Sequence, residues 1–167
     1  DFGSHTDRFA YYGSLNGYRT DLGLETVTSE VLHDAANGFG GFTSILFNPA
    51  AHDQLRFVSS MRKDHFQVPN DPDQQAAGIR DVENEADTIA NFTWLHTGSP
   101  GVLWTFSPYY HFNRAHYLGG SGDTPLIPED DRGSQYMGGH ISLNITKQEH
   151  NASLGWVLSS IPSWRSA

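Results

Sequence analysis

The 167-residue sequence contains no cysteine. That absence excludes a disulfide framework and any thiolate metal site, and it leaves the compartment open. No apolar run approaches the ~20 residues that a membrane-crossing helix needs, so a helical membrane protein is excluded. Basic residues are scarce, with Lys and Arg at 10 against 19 Asp and Glu and a net charge of -9. With no basic cluster to neutralise phosphates, nucleic acid is not an expected partner. A P-loop, a dinucleotide fingerprint, an HExxH pair and a nucleophile elbow are all missing. The carboxylates fall in loop-like stretches without a converging partner for acid–base work. No enzymatic activity and no cofactor are expected. The opening "DFGSHTDRF" has neither Met, a basic n-region nor an apolar h-region, which suits a mature form or an excised piece.

What is present has a period of two. Residues 102–117, "VLWTFSPYYHFNRAHY", set Val102, Trp104, Phe106, Pro108, Tyr110 and Phe112 on one side. Leu103, Thr105, Ser107, Tyr109, His111 and Asn113 fall on the other. Residues 8–20 place Phe9, Tyr11 and Leu15 opposite Tyr12, Ser14, Asn16 and Tyr18. Residues 41–48 are apolar on both sides. Residues 54–66 set Leu55, Phe57, Ser59 and Met61 against Arg56, Val58, Ser60 and Arg62. Residues 85–96 oppose Ala90, Phe92 and Trp94 to Asn91 and Thr93. Residues 134–147 oppose Met137, Ile141, Leu143 and Ile145 to His140, Ser142, Asn144 and Thr146. Residues 151–157 oppose Ala152, Leu154 and Trp156 to Asn151 and Ser153. The alternation predicts seven strands in an all-β, antiparallel up-and-down meander. A single short helix is expected at "TSEVLHDAANG", residues 28–38, with Thr28 or Ser29 as N-cap and Gly38 as the stop.

The connections alternate as well. "PAAHD", "TGSPG" and "QEH" are tight, whereas "DLGLETVTSEVLHDAANGFG", "QVPNDPDQQAAGIRDVEN" and "LGGSGDTPLIPEDDRG" are long. In a meander every second connection lies at the same end, so one end carries tight turns and the other carries loops. Compact domains seldom use three connections approaching ~20 residues. Outer-membrane barrels do so routinely. A mean hydropathy of -0.48 is compatible with such a barrel, because lipid-facing and lumen-facing residues average out.

A membrane-embedded barrel predicts which side chains meet hydrocarbon: Phe9, Tyr11, Phe57, Phe92, Trp94, Trp104, Phe106, Tyr110, Phe112 and Trp156. Trp94, Trp104 and Trp156 lie toward the tight-turn ends, where an aromatic girdle belongs. The opposite side would line a wet lumen. Its loop-ward members Tyr18, Arg62, Tyr109, His111 and Asn113 are the candidate ligand contacts. His111, His116 and His140 lack the spacing of a local zinc motif, and no metal site is assigned. The acidic runs at residues 81–87 and 129–131 lack the ordered loop of an EF-hand and read as solvated charge. The sequons beginning at Asn91, Asn144 and Asn151 lie inside predicted strands and read as coincidence.

From "YYGSLNGYRTDLGLET" through "ILFNPAAHDQLRFVSSMRKDHFQVPNDPDQQAAG", "ANFTWLHTGSPGVLWTFSPYYHFNRAHY" and "DDRGSQYMGGHISLNITKQEHNASLGW", the chain resembles the barrel of TonB-dependent outer-membrane receptors. The nearest likeness is to the subgroup with a carboxypeptidase-regulatory-like domain (Oar-like receptors). It covers roughly residues 8–156. The order and spacing of segments carry it more than any single motif.

The resemblance implies a large barrel around a plug, import of a scarce small-molecule or oligosaccharide ligand, and energy delivered by TonB. It places the protein in the bacterial outer membrane, with lipid as a partner. No plug, TonB box or closing C-terminal strand is recognisable, and the tail "VLSSIPSWRSA" departs from strand alternation. Residues 1–167 are therefore expected to form a partial outer-membrane barrel domain. Two other readings stay open. One is a porin-like or eight-stranded barrel, with an additional strand near Ile161. The other is a soluble β-sandwich or lipocalin-like binding module, with the aromatic side buried.

Overall fold

The computed structural model describes residues 1–160. Eight strands and one short helix follow in the order β1 Phe2–His5, β2 Phe9–Thr20, β3 Ala36–Ala50, β4 Asp53–Gln67, α1 Pro72–Ala77, β5 Val82–Thr97, β6 Val102–Leu118, β7 Glu129–Lys147 and β8 His150–Ser159. All strands belong to one antiparallel sheet in chain order. The sheet is not closed into a barrel, and β1 and β8 are its edges.

The seven strands expected from alternation are β2 to β8. The eighth, β1, went unseen because four residues are too few to show a period. It is joined to β2 through residues 6–8, where the Thr6 hydroxyl accepts from the N–H groups of Arg8 and Phe9. A hydroxyl taking over backbone donors in this way stabilises a tight turn. The short connections are thus residues 6–8, 51–52, 98–101 and 148–149, all at one end of the sheet. The long ones are residues 21–35, 68–81 and 119–128, all at the other. They are shorter than expected because the strands reach further into them.

The entry to β3 explains one such extension. Gly38, Gly40 and Gly41 are strand residues paired with Tyr18, Asn16 and Leu15. A Cβ on Gly38 would stand 2.6 Å from the Tyr18 ring and 2.9 Å from the Lys63 carbonyl oxygen. At Gly40 and Gly41 it would stand 3.0 Å from the Asn16 side chain and 3.1 Å from that of Leu15. The glycines make room for the larger side chains of β2.

The helix expected over residues 28–38 does not form. Residues 36–38 are strand, and the Asp34 carboxylate holds the chain by accepting from the N–H groups of Gly23 and Leu24 at 3.1 and 2.8 Å. The helix occurs instead at Pro72–Ala77. Asp71 caps it by accepting from the Gln74 N–H at 2.8 Å, and Gln74 returns a bond from the Asp71 N–H at 2.9 Å. Pro72 starts it and Gly78, at φ 81°, ends it. These signals stand in "NDPDQQAAG", within the long connection between β4 and β5.

β8 continues through Ser159, two residues beyond its expected end. The strand proposed near Ile161 lies outside the described residues. No helix among them is long and apolar enough to cross a membrane, which says nothing of strands.

The sheet is one layer thick. Ala36 is the sole buried hydrophobic residue among the described residues. A sandwich needs a second sheet against the first, and the described residues form only one. Trp94, Trp104 and Trp156 remain 39%, 45% and 56% exposed.

Candidate functional site

Because directly paired residues of antiparallel neighbours project to the same side, the register defines two faces. One line runs Phe9, Phe47, Leu55, Trp94, Phe106, Ile141, Trp156 across seven strands. The adjacent line begins Tyr11, Ile45, Phe57, Phe92. Trp104 pairs with Leu143, Tyr110 with Met137 and Phe112 with Gln135 on the same side. Every aromatic residue assigned to the apolar side by sequence is therefore on one face.

That face is bounded by charge. On β4 it presents Asp53, then Leu55, Phe57, Ser59 and Met61, then Lys63. On β6 it is uncharged from Val102 to Phe112 and reaches Arg114. Lys63, Ala86 and Arg114 share one register line, which forms the loop-ward border. Beyond it lies a polar line of Arg19, Asn37, His65, Asn84, His116 and Asp131. At the opposite border the Asp53 carboxylate accepts from the Trp94 indole N–H at 2.9 Å and from His96 Nδ1 at 2.8 Å. This fixes one tryptophan with its ring on the apolar band and its polar edge on a charge.

The other face is polar. All five candidate ligand contacts lie on it. Arg62 donates to Asp64 at 2.6 Å and lies 5.8 Å above the Tyr18 ring centroid. His111 donates from Nε2 to Asp87 at 2.7 Å and stacks on Tyr136, with centroids 5.8 Å apart. The Ser134 hydroxyl donates to Asn113 Oδ1 at 2.6 Å. Of these groups Arg62, Asp64, Asp87, Asn113, Ser134 and Tyr136, together with Glu85, border an open recess of about 710 Å³ near the long-loop end, whereas Tyr18 and His111 reach it only through Arg62 and Asp87. Tyr109 shares the face but stands apart from this recess, paired with Asn91 and Gly138 further toward the tight turns. There, Asn91, Thr93 and Ser107 form a separate hydroxyl–amide cluster with contacts of 2.8 to 3.1 Å.

Sequence reasoning missed Asp64, Glu85, Asp87, Ser134 and Tyr136. Glu83, Glu85 and Asp87, expected as solvated loop charge, are strand residues of β5, and their shared parity is the signal in the sequence. Chemically the recess offers guanidinium groups, carboxylates, one amide and one ring face, which suits binding of a polar ligand. It does not assemble a nucleophile: Ser134 is committed to an amide oxygen rather than to a base. No group of three or more metal-ligating side chains occurs among the described residues. Compared with known proteins, the chain matches no family model, no curated protein and no solved structure.

Proposed function

We propose that this sheet spans an outer membrane as part of a β-barrel, its aromatic face in lipid and its polar face toward enclosed water. The observation that carries the reading is the height of the apolar band. From Asp53 to Lys63 the strand advances ten residues, or about 33 Å at the ~3.3 Å rise of a strand. Tilted by about 40–45°, that becomes about 25 Å, the apolar height of an outer-membrane barrel. Four tight turns at one end and three loops at the other agree with this orientation. The lack of a dry core agrees too, because a membrane barrel supports its apolar face with lipid instead of a second layer.

Within this reading the intact protein is a TonB-dependent receptor in a bacterial outer membrane, importing a scarce ligand. The recess around Arg62, Asp87, Asn113 and Tyr136 contributes to the ligand path, while engagement of TonB falls to parts of the receptor outside this chain. The sheet's free edges support a partial barrel. An open edge in hydrocarbon leaves N–H and C=O groups unpaired at several kcal/mol each, so neighbouring strands must cover β1 and β8.

One observation favours a second reading. Inclusion of β1 brings the strand number to eight, the smallest closed bacterial barrel. Amide exchange on detergent-refolded chain separates the two. A closed barrel protects the amides of β8 as fully as those of β5, whereas an open segment leaves its outer edge exchanging freely. The membrane assignment itself is tested by quenching Trp94, Trp104 and Trp156 fluorescence with brominated lipids. Efficient quenching supports it. Quenching only by a water-soluble agent such as acrylamide overturns it.

A further inference from the structure

The three long loops leave separate hairpins, yet all three converge on one residue. Asp81, the last residue before β5, binds loop 21–35 through its backbone: its carbonyl oxygen accepts from His33 Nε2 at 2.9 Å. It binds its own loop the same way, accepting from the Val68 N–H at 3.0 Å. Its carboxylate binds the third hairpin, where Oδ1 accepts from the Gly120 N–H at 2.9 Å and Oδ2 from the Tyr117 hydroxyl. We propose that the long loops form a single clasp pinned at Asp81, so that withdrawing its carboxylate contacts loosens the loops together rather than one at a time.

The packing around Asp81 supports joint motion. Loop 119–128 lies directly on the backbone of loop 68–81. A Cβ on Gly120 would stand 2.6 Å from the Arg80 nitrogen, and one on Gly122 would stand 2.5 Å from the Gly78 carbonyl. Only glycine allows so close a backbone approach. On the other side, the Asn70 N–H donates to Leu32 O at 2.9 Å and the Gln67 side chain accepts from the Ala35 N–H at 3.0 Å. Loop 68–81 is thus gripped from both flanks. Asn70, 3% exposed, braces it internally by donating to Gln75 and to Ile79 O. The clasp stands at the mouth of the polar face, since Tyr117 pairs with Glu83 immediately outward of the Glu85–Ala115 pair that borders the recess. It is independent of whether the opposite face meets lipid.

The test is amide exchange, followed by mass spectrometry, on the full chain with Asp81→Asn. The amide retains an acceptor but loses the charge that holds two donors at once. Exchange should rise about tenfold in loops 21–35 and 119–128 alike, with β4, β5 and β6 unchanged. Tyr117→Phe, which removes one of the two donors, should loosen the same loops together by a smaller factor. A rise confined to residues next to position 81, or none, overturns the proposal. If Asp81→Asn disturbs the strands as well, Gly122→Ala carries the test, because its Cβ meets only loop backbone. Loosening that reaches loop 21–35, which position 122 does not touch, then supports the clasp, and loosening confined to loops 68–81 and 119–128 overturns it.

Discussion

Replacing Phe57 by Arg provides a test whose magnitude differs between a sheet in lipid and a sheet in water. Phe57 sits near the middle of the apolar band, between Asp53 and Lys63 on β4, and pairs with Ile45 and Phe92. In a bilayer an arginine at mid-depth on the lipid face costs about 2–4 kcal/mol. That lowers the folding equilibrium constant by about thirtyfold to nearly a thousandfold. Phe39 shares the same face but lies level with Lys63 at the border, where the same substitution costs about 0–1 kcal/mol. Ser60→Arg points to the polar face and serves as the control. In water the order changes, because Phe57 is already 37% exposed and exposed substitutions away from special features usually stay within about 0.5 kcal/mol. The assay is denaturant unfolding of vesicle-refolded protein, monitored by tryptophan fluorescence. Equal losses for Phe57→Arg and Phe39→Arg, or no loss at Phe57, would refute the depth argument.

Further predictions concern the loops and the glycine notch. Burial works against charge on Asp81, but donors from Tyr117, Gly120 and Asp123, with His33 nearby, hold its carboxyl below the usual carboxylate range. Desolvation, then the hydrogen bond and charge of Asp81, pushes Asp123 above that range. A depressed carboxyl stabilises above its unfolded value and loses this as pH falls through its folded value. A raised one stabilises below its unfolded value and loses this as pH rises through its folded value. Loop protection factors, corrected for intrinsic exchange, should therefore peak between the two folded values and decline on both sides. Protection that changes monotonically would count against the pairing of these carboxyls. Gly38→Ala should destabilise by about 1–3 kcal/mol, since its methyl meets Tyr18, the Lys63 carbonyl and the Asp64 carboxylate; an unchanged urea midpoint would contradict this. Asp71→Ala should weaken α1 by about 0.5–2 kcal/mol, seen as faster exchange at residues 74 and 75 with the strands unaffected.

How much of this was legible in the sequence follows from the range of the interactions involved. The long strands were readable because alternation repeats over many residues, and every member of the aromatic set from Phe9 to Trp156 kept its side. The alternating turn and loop ends were readable because they need only segment lengths. β1 was not, since Phe2 and Ser4 give too little pattern. The helix was misplaced because Thr28 and Gly38 imitate caps, while the capping box of Asp71 and Gln74 stood between glycine and proline signals that suggested a loop. The recess was half readable. Parity places Arg62, His111 and Asn113 on one side, but only register brings Asp87 to His111 and Ser134 to Asn113. The hub at Asp81 depends on contacts between loops far apart in sequence, and no local pattern announces them.

The central claim is that the two faces of one strand meet different media, and β4 allows it to be measured directly. The chain has no cysteine, so single cysteines placed in turn along residues 53–67 of vesicle-reconstituted protein give unambiguous nitroxide labels. Relaxation by dissolved oxygen, which concentrates in hydrocarbon, should peak at positions 55, 57, 59 and 61. Relaxation by a water-soluble metal complex should peak at positions 56, 58, 60 and 62. Equal access of the aqueous reagent to both sets would contradict a lipid-facing sheet.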